Sequence, residues 1–173
     1  GLYSMIKKKI CLLGTFGVGK TSLIRKYVQN IFSDEYITTI GVKIEKKTLI
    51  LDGNKEILLV IWDLEGSDDF HRIIDTYLKG MSGYFVVADG TNPETIATAQ
   101  SISAQMKQFF PDTPSVLLLN KYDLAHVWAV PEGTETGLTQ PGQTVLNTSA
   151  KTGMGVEEAF EAIAIRMVET QND

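Results

Sequence analysis

Residues 14–21 read GTFGVGKT. They stand between the apolar run Ile10-Cys11-Leu12-Leu13 and the stretch Lys20 to Val28, in which Leu23, Ile24 and Tyr27 share one helical face. A Gly, four residues and then Gly-Lys-Thr, set between a strand and a helix, is the pattern of a phosphate cradle. Its glycines let the backbone N–H groups of Gly17, Val18 and Gly19 curl around a β-phosphate, while the helix turns its positive end inward. Lys20 neutralises charge and Thr21 supplies a hydroxyl for Mg²⁺, with Phe16 and Ser22 flanking them in the contact set. At average composition the pattern arises by chance in on the order of 1% of chains this long, so the strand–helix context decides for a real cradle. A strand running into such a loop and helix also sets the fold class, because it begins an α/β alternation.

Working outward, the same alternation continues. Val42 to Leu51 and Lys55 to Trp62 are strand-like and joined by Asp52-Gly53-Asn54, which predicts an antiparallel hairpin. Asp68 to Leu78 reads as a helix closing at Gly80. Gly83 to Asp89 is a nearly continuous apolar run, the mark of a strand covered on both faces. Pro93 opens the longest helix, which Pro111 stops. Ser115 to Leu119 is another buried strand ending at Asn120, Thr144 to Asn147 a short last one, and Val156 to about Val168 a closing amphipathic helix. Lys7-Lys8-Lys9 reads as a lead-in to the first strand, and residues 30–41 as an exposed loop. Pro131 to Gly142 occupies a slot where a helix is due, but its glycines cost about 1 kcal/mol each inside a helix. An irregular or much shortened helix is expected there.

The totals narrow the function. The chain has 173 residues, enough for one domain with a sizeable core, and 43% of them are apolar. A net charge of -5 gives no footprint for a nucleic-acid backbone. No run of about 20 apolar residues offers a membrane span. The single cysteine, Cys11, lies in the first strand, so a reducing compartment and a cytoplasmic location are expected. His71 and His126 lack metal-ligand spacing and read as surface or loop residues. Residues 1–4 read as an expression remnant, 5–169 as one domain and 170–173 as a short polar tail without a lipidation Cys. Membrane association would need a lipid-bearing tail absent from this chain.

The base is addressed by Asn120-Lys121-Tyr122-Asp123. An Asp carboxylate at the end of a buried strand accepts two hydrogen bonds from guanine N1–H and its 2-amino group, and adenine offers neither. Asn120 would tie this loop to the phosphate loop, and the Lys121 stem would lie over the base. Ser149-Ala150-Lys151 follows the next strand, where the Ala150 N–H would meet the guanine oxygen. A P-loop kinase or ATPase is the reading from another class; the guanine-type loop and the lack of a second carboxylate cluster argue against it.

With GTFGVGKTS, the YITTIG loop, WDLEG, NKYD and TSAK in order, the chain resembles a Ras-superfamily small GTPase, and most of all the Rab branch. IGVKI at 40–44 and YLKGM at 77–81 carry the Rab-like flavour. The resemblance implies a single-domain P-loop GTPase fold, a six-stranded, mostly parallel sheet with one antiparallel hairpin strand and helices on both faces. It implies GTP/GDP and Mg²⁺ as ligands. By it, Phe32 lies edge-on to the guanine, Tyr36 joins the nucleotide contacts, and Thr39 binds Mg²⁺ and the γ-phosphate. Asp63 holds Mg²⁺ through water, and the Gly66 N–H touches the γ-phosphate. The loops around Thr39 and Gly66 are then the two switches, read by effector and exchange-factor proteins on a monomer.

Three departures from that family pattern, at Phe16, Glu65 and Ser67, bear on the chemistry. Where the family shows Trp-Asp-Thr-Ala-Gly-Gln, this chain has Trp62-Asp63-Leu64-Glu65-Gly66-Ser67. Ser67 is too short to orient the attacking water as the usual Gln does, and it equally suits a helix N-cap. Glu65 sets like charge beside the γ-phosphate. Phe16 replaces a common Gly and crowds both that phosphate and an arginine finger. Lys20, Thr39, Gly66 and Ser67 form the expected catalytic set. Weak hydrolysis is one outcome, and a GTP-bound docking module without hydrolysis the other. Trp62 and Tyr77 match an aromatic cluster by which Rab-like proteins display their state, with Ile44 in a place often held by Phe.

Overall fold

The computed structural model describes residues 5–29, 36–37, 42–64 and 76–171. Strands β1 (Ile6–Leu13), β2 (Tyr36–Ile37), β3 (Lys43–Leu51), β4 (Lys55–Asp63), β5 (Gly83–Asp89), β6 (Ser115–Asn120) and β7 (Thr144–Asn147) form one sheet in the order β2-β3-β4-β1-β5-β6-β7. Helices α1 (Lys20–Val28), α2 (Pro93–Phe109) and α3 (Val156–Gln171) cover it. The six expected strands are all present, and the two-residue β2 adds a seventh at the edge of β3. β3 runs antiparallel to β4, as the Asp-Gly turn predicts, and β4, β1, β5, β6 and β7 are parallel.

Register decides where the chemistry collects. Leu12 pairs with Asp63, Leu13 with Val86 and Asp89 with Asn120. The carboxyl ends of β1, β4, β5 and β6 therefore form one rim, where ligands of open α/β sheets bind.

Period-2 alternation splits the core cleanly. Ile10, Leu12, Phe85, Val87, Val116 and Leu118 face α1 and α3. Cys11, Leu13, Tyr84, Val86, Leu117 and Leu119 face α2. On the first face Tyr27 of α1 stacks on Phe160 of α3, with centroids 3.8 Å apart, and Phe160 meets Phe85 edge-on at 4.9 Å. These rings join two helices to the central strand. α2 starts as read, with Pro93 in its first turn and the Asn92 side chain accepting from the Glu94 N–H at 3.0 Å.

Three local differences have physical causes. Lys7-Lys8-Lys9 lies inside β1, which begins at Ile6 and not at Ile10. Strand pairing with β4 overrides the charge because long stems can cover apolar surface. The Lys9 ammonium sits 3.8 Å from the Trp62 ring centroid and donates to the Lys79 carbonyl at 3.0 Å. α3 runs to Gln171, past Val168. Residues 131–142 hold only a short 3-10 turn, Glu135–Leu138, as their glycines require. The start of the helix expected from Asp68, and His71, lie outside the described residues, while the chain turns at residues 78–80.

Two outcomes follow. Phe160→Ala removes the ring that joins α1, α3 and β5, so denaturant unfolding should show a loss of about 3–5 kcal/mol; a loss under about 1 kcal/mol contradicts the packing. Burial pushes the Cys11 thiol up to about 12. In the native protein at pH 8 it should stay unlabelled by a disulfide reagent that labels it at once in denaturant; rapid native labelling contradicts its burial.

Candidate functional site

The loop between β1 and α1 wraps a cleft of about 170 Å³ lined by residues 14–17 and 19–22. Gly17 and Gly19 adopt φ of 84° and 88°, the left-handed region that a side chain disfavours. Gly19 is the N-cap of α1 and brings no side-chain acceptor, so the first-turn N–H groups lack an intrahelical partner and keep their positive field. A Cβ at Gly19 would lie 2.4 Å from Asn120 Nδ2. Thr15 Oγ1 is buried at the cleft without a partner among the described residues. Backbone donors, a bare helix end and an orphaned hydroxyl are the donor set that a phosphate chain satisfies. Ser22 is exposed in the first turn of α1. Phe16 projects from the cleft wall with 91% of its surface exposed.

Lys20, Thr21 and Asp63, expected on phosphate and Mg²⁺, come together here. The Lys20 ammonium pairs with Asp63 Oδ1, both side chains buried, and Thr21 Oγ1 donates to Asp63 Oδ2 at 2.7 Å. A buried charge left alone is costly, so each holds the other. The hydroxyl and carboxylate oxygens are the hard donors that suit Mg²⁺, and the ammonium suits the phosphate tail. A phosphate on the ammonium and Mg²⁺ on the carboxylate would together let the pair part without stranding either charge. When bound, Mg²⁺ would supply charge neutralisation for the phosphate tail, held here by Thr21 and Asp63.

The base loop is tied to this cradle from the far end of the sequence. Asn120 Nδ2 donates to the Val18 carbonyl at 2.9 Å. Its Oδ1 accepts from Thr148 Oγ1 at 3.1 Å and from the Ala150 N–H at 3.2 Å. Lys121 Nζ donates to the Gly17 carbonyl at 2.9 Å and pairs with Asp89 Oδ2 at 2.9 Å. Ser149 Oγ donates to Asp123 Oδ1 at 2.8 Å, so the carboxylate stands anchored through one oxygen. Lys151 is exposed. The sequence reading aimed the Ala150 N–H at the guanine oxygen, whereas here Asn120 takes it over a long bond that a better acceptor can replace.

Of the remaining expected site residues, Phe32, Thr39, Gly66 and Ser67 lie outside the described residues, as does Glu65; Tyr36 is placed only by its strand pairing with Ile44. Trp62 and Tyr77 meet with centroids 6.3 Å apart, and Ile44 pairs with Trp62 across β3 and β4. His126 sits exposed on a 3-10 turn. Sequence reasoning missed Asp89. Burial favours its neutral form, but hydrogen bonds from Thr91 and Lys121 and the Lys121 charge outweigh this and hold it below the ordinary carboxylate value. Its signal was a carboxylate ending a wholly apolar strand.

Comparison with known proteins agrees with this geometry. The Ras family model matches residues 9–169. The chain is similar to the Ras-related protein Rab-7b of Mus musculus, 33% identical over 162 residues that cover 91% of this chain and 81% of that protein. The Rab-7b of Homo sapiens is 34% identical with the same coverage. The Ras-related protein Rab-8B of Dictyostelium discoideum is 33% identical over 171 residues, 95% of this chain and 84% of that protein. A cradle, a tied base loop and a match over nearly the whole chain place this protein in the Ras family, as a small GTPase of the Rab branch that binds guanine nucleotide as a switch.

Proposed function

We propose that this chain is a guanine-nucleotide switch that holds GTP/GDP with Mg²⁺ firmly and hydrolyses GTP slowly. One observation carries the reading: the cradle and base loop are joined through Asn120 and Lys121, and Ser149 anchors Asp123, while Phe16 stands exposed at the mouth of the same cleft. Binding groups are thus in place where the catalytic neighbourhood is altered. Gly17, Val18, Gly19, Lys20, Thr21 and Ser22 take the phosphates. Thr21, Thr39 and Asp63 take Mg²⁺, the last through water. Phe32 and Tyr36, with Asn120, Lys121, Asp123, Ser149, Ala150 and Lys151, take the base and ribose side. Lys20, Thr39 and the Gly66 N–H stabilise charge during transfer, and Ser67 stands in for the missing Gln.

Phosphoryl transfer in this family relies on positioning and charge with no covalent step in reserve. Losing one oriented contact costs about 1.5–3 kcal/mol, roughly 10- to 100-fold in rate. Ser67 loses the amide that orients water, and Phe16 crowds the phosphate and a partner's arginine. Two such losses on a slow reaction favour a long-lived GTP state. The exposed Phe16 also supports the second reading, a GTP-bound docking module, in which hydrolysis is absent. Effectors and exchange factors would read the switch loops with Trp62, Tyr77 and Ile44, and the Ile in place of a usual Phe points to an unusual effector choice.

Single-turnover GTP loss tests the proposal. Ser67→Gln should raise the rate about 10- to 100-fold, and Phe16→Gly should raise it further when a GTPase-activating partner supplies an arginine. Rapid turnover in the unaltered chain, collapsing on Asp63→Ala and unmoved by Ser67→Gln, contradicts it. No measurable turnover in either the unaltered chain or Ser67→Gln selects the docking module.

A further inference from the structure

Beside the base loop lies a contact that neither the cradle nor the switch loops account for. β5 ends at Asp89, and the next residue, Gly90, is built into the loop that follows β6. Its N–H donates to the Asn120 carbonyl at 2.9 Å, and its carbonyl accepts from the Ala129 N–H at 2.8 Å. The indole of Trp128 lies directly on it. A Cβ at Gly90 would sit 2.0 Å from Trp128 Cη2 and 2.2 Å from Cζ2, which only glycine permits. The same indole meets Tyr122 edge-on, with centroids 5.2 Å apart and planes at 90°. Its Nε1 is buried without a hydrogen-bond partner among the described residues, so packing and not hydrogen bonding places the ring. Between Tyr122 and Trp128 runs the 3-10 turn Tyr122–Val127 that carries Asp123. The turn is therefore pinned at both ends by one ring seated on one glycine.

Asp89 acts from the same strand end. One carboxylate oxygen accepts from the Thr91 N–H and hydroxyl at 2.9 and 2.6 Å, and the other pairs with Lys121. Both residues next to the base are thus placed by the end of β5 and not by β6 alone.

We infer that Gly90 and Trp128 are positioning residues for base recognition: the indole, seated on the Gly90 backbone, fixes the turn that aims Asp123 at guanine, with Asp89 fixing Lys121 beside it. The inference rests on the reading that Asp123 accepts from guanine N1–H and the 2-amino group.

The test measures dissociation constants for GDP and IDP, which differ only in that amino group, together with thermal melting of each variant. Unaltered protein should bind GDP about 10- to 100-fold more tightly than IDP, as one hydrogen bond to a charged acceptor implies. Gly90→Ala and Trp128→Leu should bring the ratio below about 3 and speed GDP release about tenfold, whereas Trp128→Phe, which keeps a ring on Gly90, should retain most of it. A merely structural role would lower the melting temperature and leave the ratio unchanged. Should Gly90→Ala not fold, Trp128→Leu, which only removes atoms, carries the same comparison. An undiminished ratio in folded variants overturns the positioning role alone. Equal GDP and IDP affinity in the unaltered protein overturns the Asp123 reading, and this inference with it.

Discussion

The side-chain amide of Asn120, 1% exposed, is the joint on which the site depends. Its NH₂ reaches the phosphate loop at Val18, and its oxygen gathers Thr148 and Ala150 from the loop after β7. Segments more than a hundred positions apart thereby become one binding surface. A buried network of this kind is worth most when every member is satisfied, because a single lost partner strands the others at about 1–3 kcal/mol each. The amide does this only because parallel register brings the ends of β1, β5 and β6 to the same height. Sheet topology and ligand site are one constraint seen at two scales.

Charge is handled by the same economy of partners. Lys20 and Asp63 neutralise each other beneath the cradle, and Lys121 and Asp89 do so beside the base. Each pair joins a cation suited to the nucleotide to a carboxylate ending a strand. The first pair would open only for a phosphate on Lys20 and a dication on Asp63 together, since either alone would strand a buried charge. The second keeps Lys121 on the Gly17 carbonyl and so adds a second tie between base loop and phosphate loop. Phe16, exposed at the mouth, lies outside both pairs.

Much of the architecture was legible in the sequence because it rests on local signals. Continuous apolar runs at residues 83–89 and 115–119 give strands buried on both faces, Asp52-Gly53 gives the hairpin, and Pro93 and Pro111 bracket α2. The glycines of residues 131–142 forecast the shortened turn. What the sequence hid was set by pairing at a distance. Three lysines look like a lead-in to a strand until β4 lies alongside and Trp62 offers a ring to Lys9. Asp89 looks like a strand-end residue until Lys121 arrives from β6. The seat of Trp128 on Gly90 cannot be read from either residue, since neither carries a pattern and only the loop closure joins them. The bond from the Ala150 N–H to Asn120 is of the same kind, since it joins two loops thirty positions apart.

Guanine held by the rim that ends β6, with Lys20 and Mg²⁺ on the phosphates, is the central proposal. Calorimetric titration of the purified, nucleotide-stripped chain with GTP and with ATP, each with Mg²⁺, tests it directly. A site built to hydrogen-bond the guanine edge should favour GTP by about 10⁴-fold or more. Equal affinity for the two nucleotides, or binding of neither, would contradict it.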